Sequence, residues 1–270
     1  MTSPKLNSSK QQIDFLISFT LEVRNLVRSG FYDISVDSKH KPISMRKSLE
    51  ESKNIPIIAE VKFSSPSRGS IRKQQDVRTL VSLMERGGAS GISVLTQPKH
   101  FGGSLENLAN ARRATKLPIL MKDFIFSERQ IEAGRRLSAD AILLIERLFA
   151  DARFGDLDNL IKEAHSRGLE VLLEVHSNDE YERAIKTDAD IIGINNRNLG
   201  TLELDMQTTS RILTNCARTD KLIVSESGIF SSKEMRALRN AGVGAFLVGT
   251  SIMRSKDVEA KVRELSSVPR

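Results

Sequence analysis

The 270-residue chain contains no tryptophan, two tyrosines and a single cysteine. Each shortage removes something. With one thiol, Cys216, no disulfide can form within the chain, which fits a reducing compartment, and Cys216 is expected to be a small core or surface residue. Scarce aromatic platforms, and basic residues that come in ones and twos interleaved with Asp and Glu, give nucleic-acid binding little support. No apolar run approaches the roughly 18 residues needed to span a bilayer. FLISFTLEV is flanked by Asp14 and interrupted by Glu22, and MTSPKLNSSKQQID lacks the apolar block of a secretory signal. A soluble, cytoplasmic protein is expected, with about the first 8 residues disordered. His40, His100, His165 and His176 show no HxH or HExxH spacing, so no metal is expected. No P-loop or Ser-His-Asp set is legible either.

Forty-one Lys plus Arg against thirty-four Asp plus Glu give a net charge of +7, which favours anionic partners. With 39% apolar residues the chain can build one large core. Short apolar runs near 55–62, 91–95, 118–122, 140–145, 170–175, 190–195, 221–226 and 244–248 read as buried parallel strands. Helical apolar spacing follows each, over 76–87, 104–116, 127–137, 156–167, 178–187, 207–216, 231–241 and 256–265. Eight such units predict an α/β protein, a (β/α)8 TIM barrel. The runner-up is an open doubly wound sheet, disfavoured because no GxGxxG follows the first strand. Ser127, Asn178 and Ser231 stand as N-caps, and Gly87-Gly88, Gly134, Gly168 and Gly242 as left-handed caps near helix ends. Residues 1–54 form an N-terminal helical extension to a single domain spanning 1–270. Leu16, Phe19, Val23, Leu26 and Val27 give that extension an amphipathic helix that packs on the barrel, and a second helical piece runs from Ser44 to Ser52.

Glu60, Lys62, Lys122, Glu174, Asn195 and Glu226 end apolar runs, where ionised groups cost free energy unless partnered. Glu60 and Lys62 lie two apart on one strand and so share a face. With Lys122 in MKDF and Glu174 in LLEV, two ammonium groups and two carboxylates meet in one mouth, where proximity and burial tune them for proton transfer. A ring of structural ion pairs is the bland alternative. Ser225-Glu226-Ser227-Gly228 and Gly249-Thr250-Ser251 follow the seventh and eighth strands, the usual phosphate station of this fold. Arg197, past the sixth strand, offers a fork of donors to the same phosphate. Phe101 and Phe124 give an apolar wall, although core packing suits Phe124 equally. His176 reads as a rim residue and Asp123 as structural. Glu146 and Arg147 either face the mouth or pair with each other.

IIAEVKFSSPSRG, VLTQPKHFGGS, PILMKDFI, LLEVH, IIGINNRNL, VSESGI and FLVGTSIM, taken in order, resemble the signature segments of the indole-3-glycerol phosphate synthase family from about residue 10 onward. The resemblance implies a carboxy-lyase of tryptophan biosynthesis. Such an enzyme closes the ring of 1-(2-carboxyphenylamino)-1-deoxyribulose 5-phosphate with loss of CO2 and water, without metal or cofactor. It places Lys122 as general acid, Lys62 at the substrate carboxylate and in later proton transfer, and Glu174 at the dehydration step. Glu60 and Asn195 would orient the substrate and Ser227 would close the cluster. Ser65, Arg197, Gly228, Gly249 and Thr250 would hold the phosphate, Phe101 and Phe124 the anthranilate ring, and Glu226 would support the cluster or take part in it. Two departures are Ser64, where many relatives carry a second lysine, and Gly102, where Asn is frequent.

The implied partner is a small phosphorylated anthranilate-derived molecule, with no nucleic acid and no membrane. A monomer is expected, and association with other enzymes of the tryptophan pathway is left open. The rivals are another phosphate-binding barrel enzyme of the tryptophan or histidine pathways and a non-catalytic barrel that binds a phosphorylated ligand.

Overall fold

The computed structural model describes residues 14–36 and 38–267; the expected disorder at the very start lies outside them. Eight parallel strands form a closed barrel: β1 Ile57–Val61, β2 Gly91–Leu95, β3 Ile119–Lys122, β4 Ala141–Ile145, β5 Glu170–Val175, β6 Ile191–Asn195, β7 Leu222–Glu226 and β8 Ala245–Val248. β1 pairs with both β2 and β8, so no edge is left open. Apart from Lys122 and Glu170, every strand residue is buried. This follows from packing on both faces, against the filled barrel interior and against the helices outside, and explains why the strands read as unbroken apolar runs.

Helices run outside the barrel between the strands, and most start on side-chain caps, the helix Thr208–Asn215 being one that does not. Ser231 and Glu234 form a reciprocal capping box, and the Ser127 hydroxyl accepts the Arg129 N–H. At 178–184 the cap is Ser177, whose hydroxyl accepts the Glu180 N–H, so the expectation for Asn178 is one residue late. Gly88, Gly168 and Gly242 adopt φ of 95°, 75° and 110°, whereas Gly87 is right-handed at −70°. Gly134 is no cap. It lies inside the helix Glu128–Arg136, where a Cβ would come 3.1 Å from the Met121 sulfur, and the left-handed residue there is Ser138.

The segment before β1 ties both ends of the barrel. α1, Phe15–Arg28, is capped by Asp14 and buries Leu16, Phe19, Thr20 and Val23. Its first N–H donates to the Gly200 carbonyl, Asp14 pairs with Arg147, and Glu22 meets Lys99 and His100. All of these partners lie in the segments just past the C-terminal ends of the strands, so α1 lies across that face. The chain then descends to the opposite end. There Asp140, before β4, accepts the Ile43, Ile119 and Arg112 N–H groups and lies 2.7 Å from the His40 ring nitrogen. α2, Met45–Glu50, covers this lower end with Met45 and Leu49 fully buried, and Gly91 leaves room for the Met45 sulfur.

Candidate active site

One cavity opens at the C-terminal ends of the strands, with about 1070 Å³ free of protein atoms and partly open to solvent, ample for a small phosphorylated metabolite. Its lining includes Glu60, Lys62, Ser65, Phe101, Lys122, Phe124, Glu174, Asn195, Arg197, Glu226, Ser227, Gly228, Gly249 and Thr250. All the site residues read from the sequence therefore meet in one place, although they come from five strands and from the segments that follow six of the eight.

Glu60 and Lys62 form an ion pair at 2.5 Å, with the carboxylate almost wholly buried. Gly249 makes room for it, since a Cβ there would come 2.3 Å from a Glu60 oxygen. Lys122 is held between two carboxylates, 2.6 Å from Glu226 and 3.2 Å from Glu174. Burial alone would push the ammonium pKa down, but Glu226, Glu174 and Glu60 outweigh it and hold it above its ordinary value. Glu226 moves upward to about 8, because burial and the neighbouring Glu174 and Glu60 charges together exceed the pull of Lys122. One Glu226 oxygen is buried without a hydrogen-bond partner and faces Gly193, where a Cβ would come within 2.3 Å of it.

Asn195 orients the other anion, its amide donating to Glu174 at 3.0 Å while its oxygen accepts the Arg197 N–H. Ser227, the residue after β7, is held at φ 64°, a strained angle for a non-glycine residue that turns the chain between the end of β7 and Gly228. The Arg197 side chain donates to the Leu202 carbonyl at 2.7 Å. Ser65 lies in a short ladder pairing Ser64–Ser65 with Gly69–Ser70. The Ser64 hydroxyl donates to the His100 carbonyl, beside Gly102 in the left-handed region.

The aromatic wall is built from Phe101 and Phe124, with centroids 6.0 Å apart, and a third ring, Phe19 of α1, 5.9 Å from Phe124. The 3–4 spacing marked Phe19 only as a packing residue. Arg68 also lines the cavity, unmarked because a lone arginine in an exposed loop carries no pattern. Gln97 is a third addition, with a buried amide nitrogen that has no partner.

Neither alternative for Glu146 and Arg147 holds: Glu146 binds Arg183 and Arg147 binds Asp14, and both residues lie outside the cavity lining. His176 is likewise outside the lining, its ring nitrogen 2.8 Å from the Asn195 carbonyl. Asp123 serves structure. It is buried, accepts from Tyr32, Thr96 and the Phe124 N–H, and has its pKa raised by burial. Cys216 is a half-buried residue just past the helix Thr208–Asn215. Among the described residues no group of three His, Cys, Asp or Glu is placed to hold a metal, and no helix is long and apolar enough to cross a membrane.

A family model described as indole-3-glycerol phosphate synthase matches residues 21–265. A Koribacter versatilis protein named indole-3-glycerol phosphate synthase is 44% identical over 230 residues, covering 84% of this chain and 87% of that protein. One of the same name from Methanocaldococcus jannaschii is 41% identical over 236 residues, covering 86% of each. Among solved structures, a thiamine phosphate pyrophosphorylase from Pyrococcus furiosus superposes with a TM-score of 0.59 at 17% identity, covering 83% of this chain and 96% of that one. An N-acetylmannosamine-6-phosphate 2-epimerase from Clostridium perfringens does so with 0.58 at 14%, covering 81% and 94%. At such identities the two structures attest the barrel alone.

Proposed function

The chain belongs to the indole-3-glycerol phosphate synthase family, and from that premise we propose how its barrel mouth carries the family's reaction. It is a carboxy-lyase of tryptophan biosynthesis that acts on a small phosphorylated substrate. Ring closure requires the carboxylate-bearing ring carbon of 1-(2-carboxyphenylamino)-1-deoxyribulose 5-phosphate to attack the ketone carbon. Loss of CO2 then restores aromaticity and loss of water completes the indole.

The observation that carries the reading is Lys122, an ammonium suspended between Glu174 and Glu226 at the cavity floor. A ketone oxygen placed against it receives a proton as the new carbon–carbon bond forms, so charge on that oxygen never accumulates. Glu226, its pKa raised to about 8 by burial and the neighbouring acid charges, takes up a proton more readily than an ordinary carboxylate. When it does so it loosens its hold on the Lys122 proton and makes the lysine a better acid. Lys62, ion-paired with Glu60, faces the substrate carboxylate until CO2 departs. Glu174, oriented by Asn195, takes up the proton released during dehydration and balances the cationic intermediate. Phe101, Phe124 and Phe19 stack on the anthranilate ring. Ser65, Arg197, Gly228, Gly249 and Thr250 hold the phosphate, with Ser227 closing the cluster. We propose that the chain acts as a monomer in the cytoplasm, with no bound cofactor.

The test is incubation with the carboxyphenylamino substrate while indole fluorescence and CO2 release are followed together. Both signals are expected to rise in step. Substrate binding by calorimetry with neither signal would instead mark a non-catalytic barrel.

A further inference from the structure

We propose that Arg68 is a second guanidinium of the phosphate station, working with Arg197 to select substrates by their phosphate; this rests on the reading of function just given. Arg68 stands beside Gly69 at the turn of the 64–70 ladder, its backbone N–H donating to the Ser65 carbonyl at 3.2 Å. Its guanidinium carbon lies 5.8 Å from the centroid of Phe230, a ring in the loop after β7 that is 40% exposed. Arg68, Phe230 and Arg197 line the same cavity.

The charges there do not balance. Among the described residues, Arg86, Arg136, Arg167 and Arg183 each meet a carboxylate, whereas neither Arg68 nor Arg197 has one within ion-pair distance. Arg197 is half-buried, and its pKa is pushed down by burial and then by the Arg68 charge. Two like charges near one rim with no counterion is an unfavourable arrangement. A phosphate, carrying about 1.5–2 negative charges at neutral pH, relieves it. The fork of Arg197 spends one donor on the Leu202 carbonyl and keeps the others. Phe230 supplies Arg68 with a resting surface over the rim, which lowers the entropy lost when the side chain is fixed on a ligand.

The experiment compares the wild-type chain with Arg68→Gln in two readouts. One is KM and kcat for the carboxyphenylamino substrate. The other is binding of inorganic phosphate by titration calorimetry, which does not depend on turnover. Arg68→Gln is expected to raise both KM and the phosphate dissociation constant about tenfold, as loss of one charge-assisted contact does, with kcat within about twofold. Arg68→Lys is expected to recover much of the loss by keeping the charge. A phosphate dissociation constant unchanged in Arg68→Gln overturns the proposal, whatever happens to KM. A wild-type chain that binds phosphate but forms no indole product fails the reading of function instead, and the calorimetric comparison still decides the role of Arg68.

Discussion

Lys122 sits among more negative charge than one ammonium can neutralise, with Glu174 and Glu226 both in contact. Replacing it with alanine removes the acid and leaves two carboxylates facing each other, one of which takes up a proton. Turnover of Lys122→Ala is expected to fall by about 10²–10⁴-fold with an unchanged far-UV circular dichroism spectrum, and near-normal turnover would remove the residue from the mechanism. Glu226 gives a pH signature. Its folded pKa of about 8 lies above the ordinary 4.5, so between those values the folded state binds more protons than the unfolded one. This contribution to stability is complete below pH 4.5 and is lost as pH rises through 8. Glu226→Gln never ionises, so its melting temperature relative to wild type should climb between pH 5 and pH 8.5, by about 2–4 °C for each kcal/mol relieved. A constant difference across that range would show that Glu226 titrates normally.

At the scale of elements, the strand ends are shaped by what is missing beside the acids. β6 carries Gly193 beneath Glu226, and Gly249 follows β8 beside Glu60; in each case a Cβ would come within 2.3 Å of a carboxylate oxygen. Gly193→Ala, which also meets Leu172 at 2.6 Å, is expected to cost about 1–3 kcal/mol in urea unfolding through overpacking. It should also lower turnover by displacing Glu226, whereas wild-type stability and turnover would show that the strand simply yields. The strands themselves were legible because burial on both faces writes an apolar run that ends abruptly, and the helices because one stripe repeats every three or four residues. The cap at Ser177 was missed by one position because Ser-Asn offers two competent caps in succession, and local pattern does not say which hydroxyl or amide turns inward. Gly134 looked like a helix end but answers to close packing on Met121, a contact between distant parts of the chain. The acids and bases of the mouth could be read because they interrupt apolar runs. Phe19 and Arg68 could not, since one hid in a packing stripe and the other in an exposed loop.

Across the whole molecule, the two ends of the barrel are specialised in opposite ways. The upper end keeps ions in close, costly array, while at the lower end Asp140 meets His40, Arg112 and two backbone N–H groups and knits the leading segment to β3 and β4. Asp140→Asn nearly preserves the volume but takes the one carboxylate partner from the half-buried Arg112. It is expected to cost about 3–5 kcal/mol in chemical unfolding, with kcat retained below the new transition. Turnover should persist in excess chelator, and activity lost on metal removal and regained on metal return would overturn the proton-transfer account of the mouth.

Since α1 rests on loops while its Phe19 completes the ring wall, thermal inactivation has two ways to begin. Loosening this one beam, with the eight-stranded cylinder intact, would already unseat the aromatic end of the substrate. Gentle warming should therefore raise KM before any cooperative loss of ellipticity, and the temperature that blunts catalysis should fall short of the one that melts the fold.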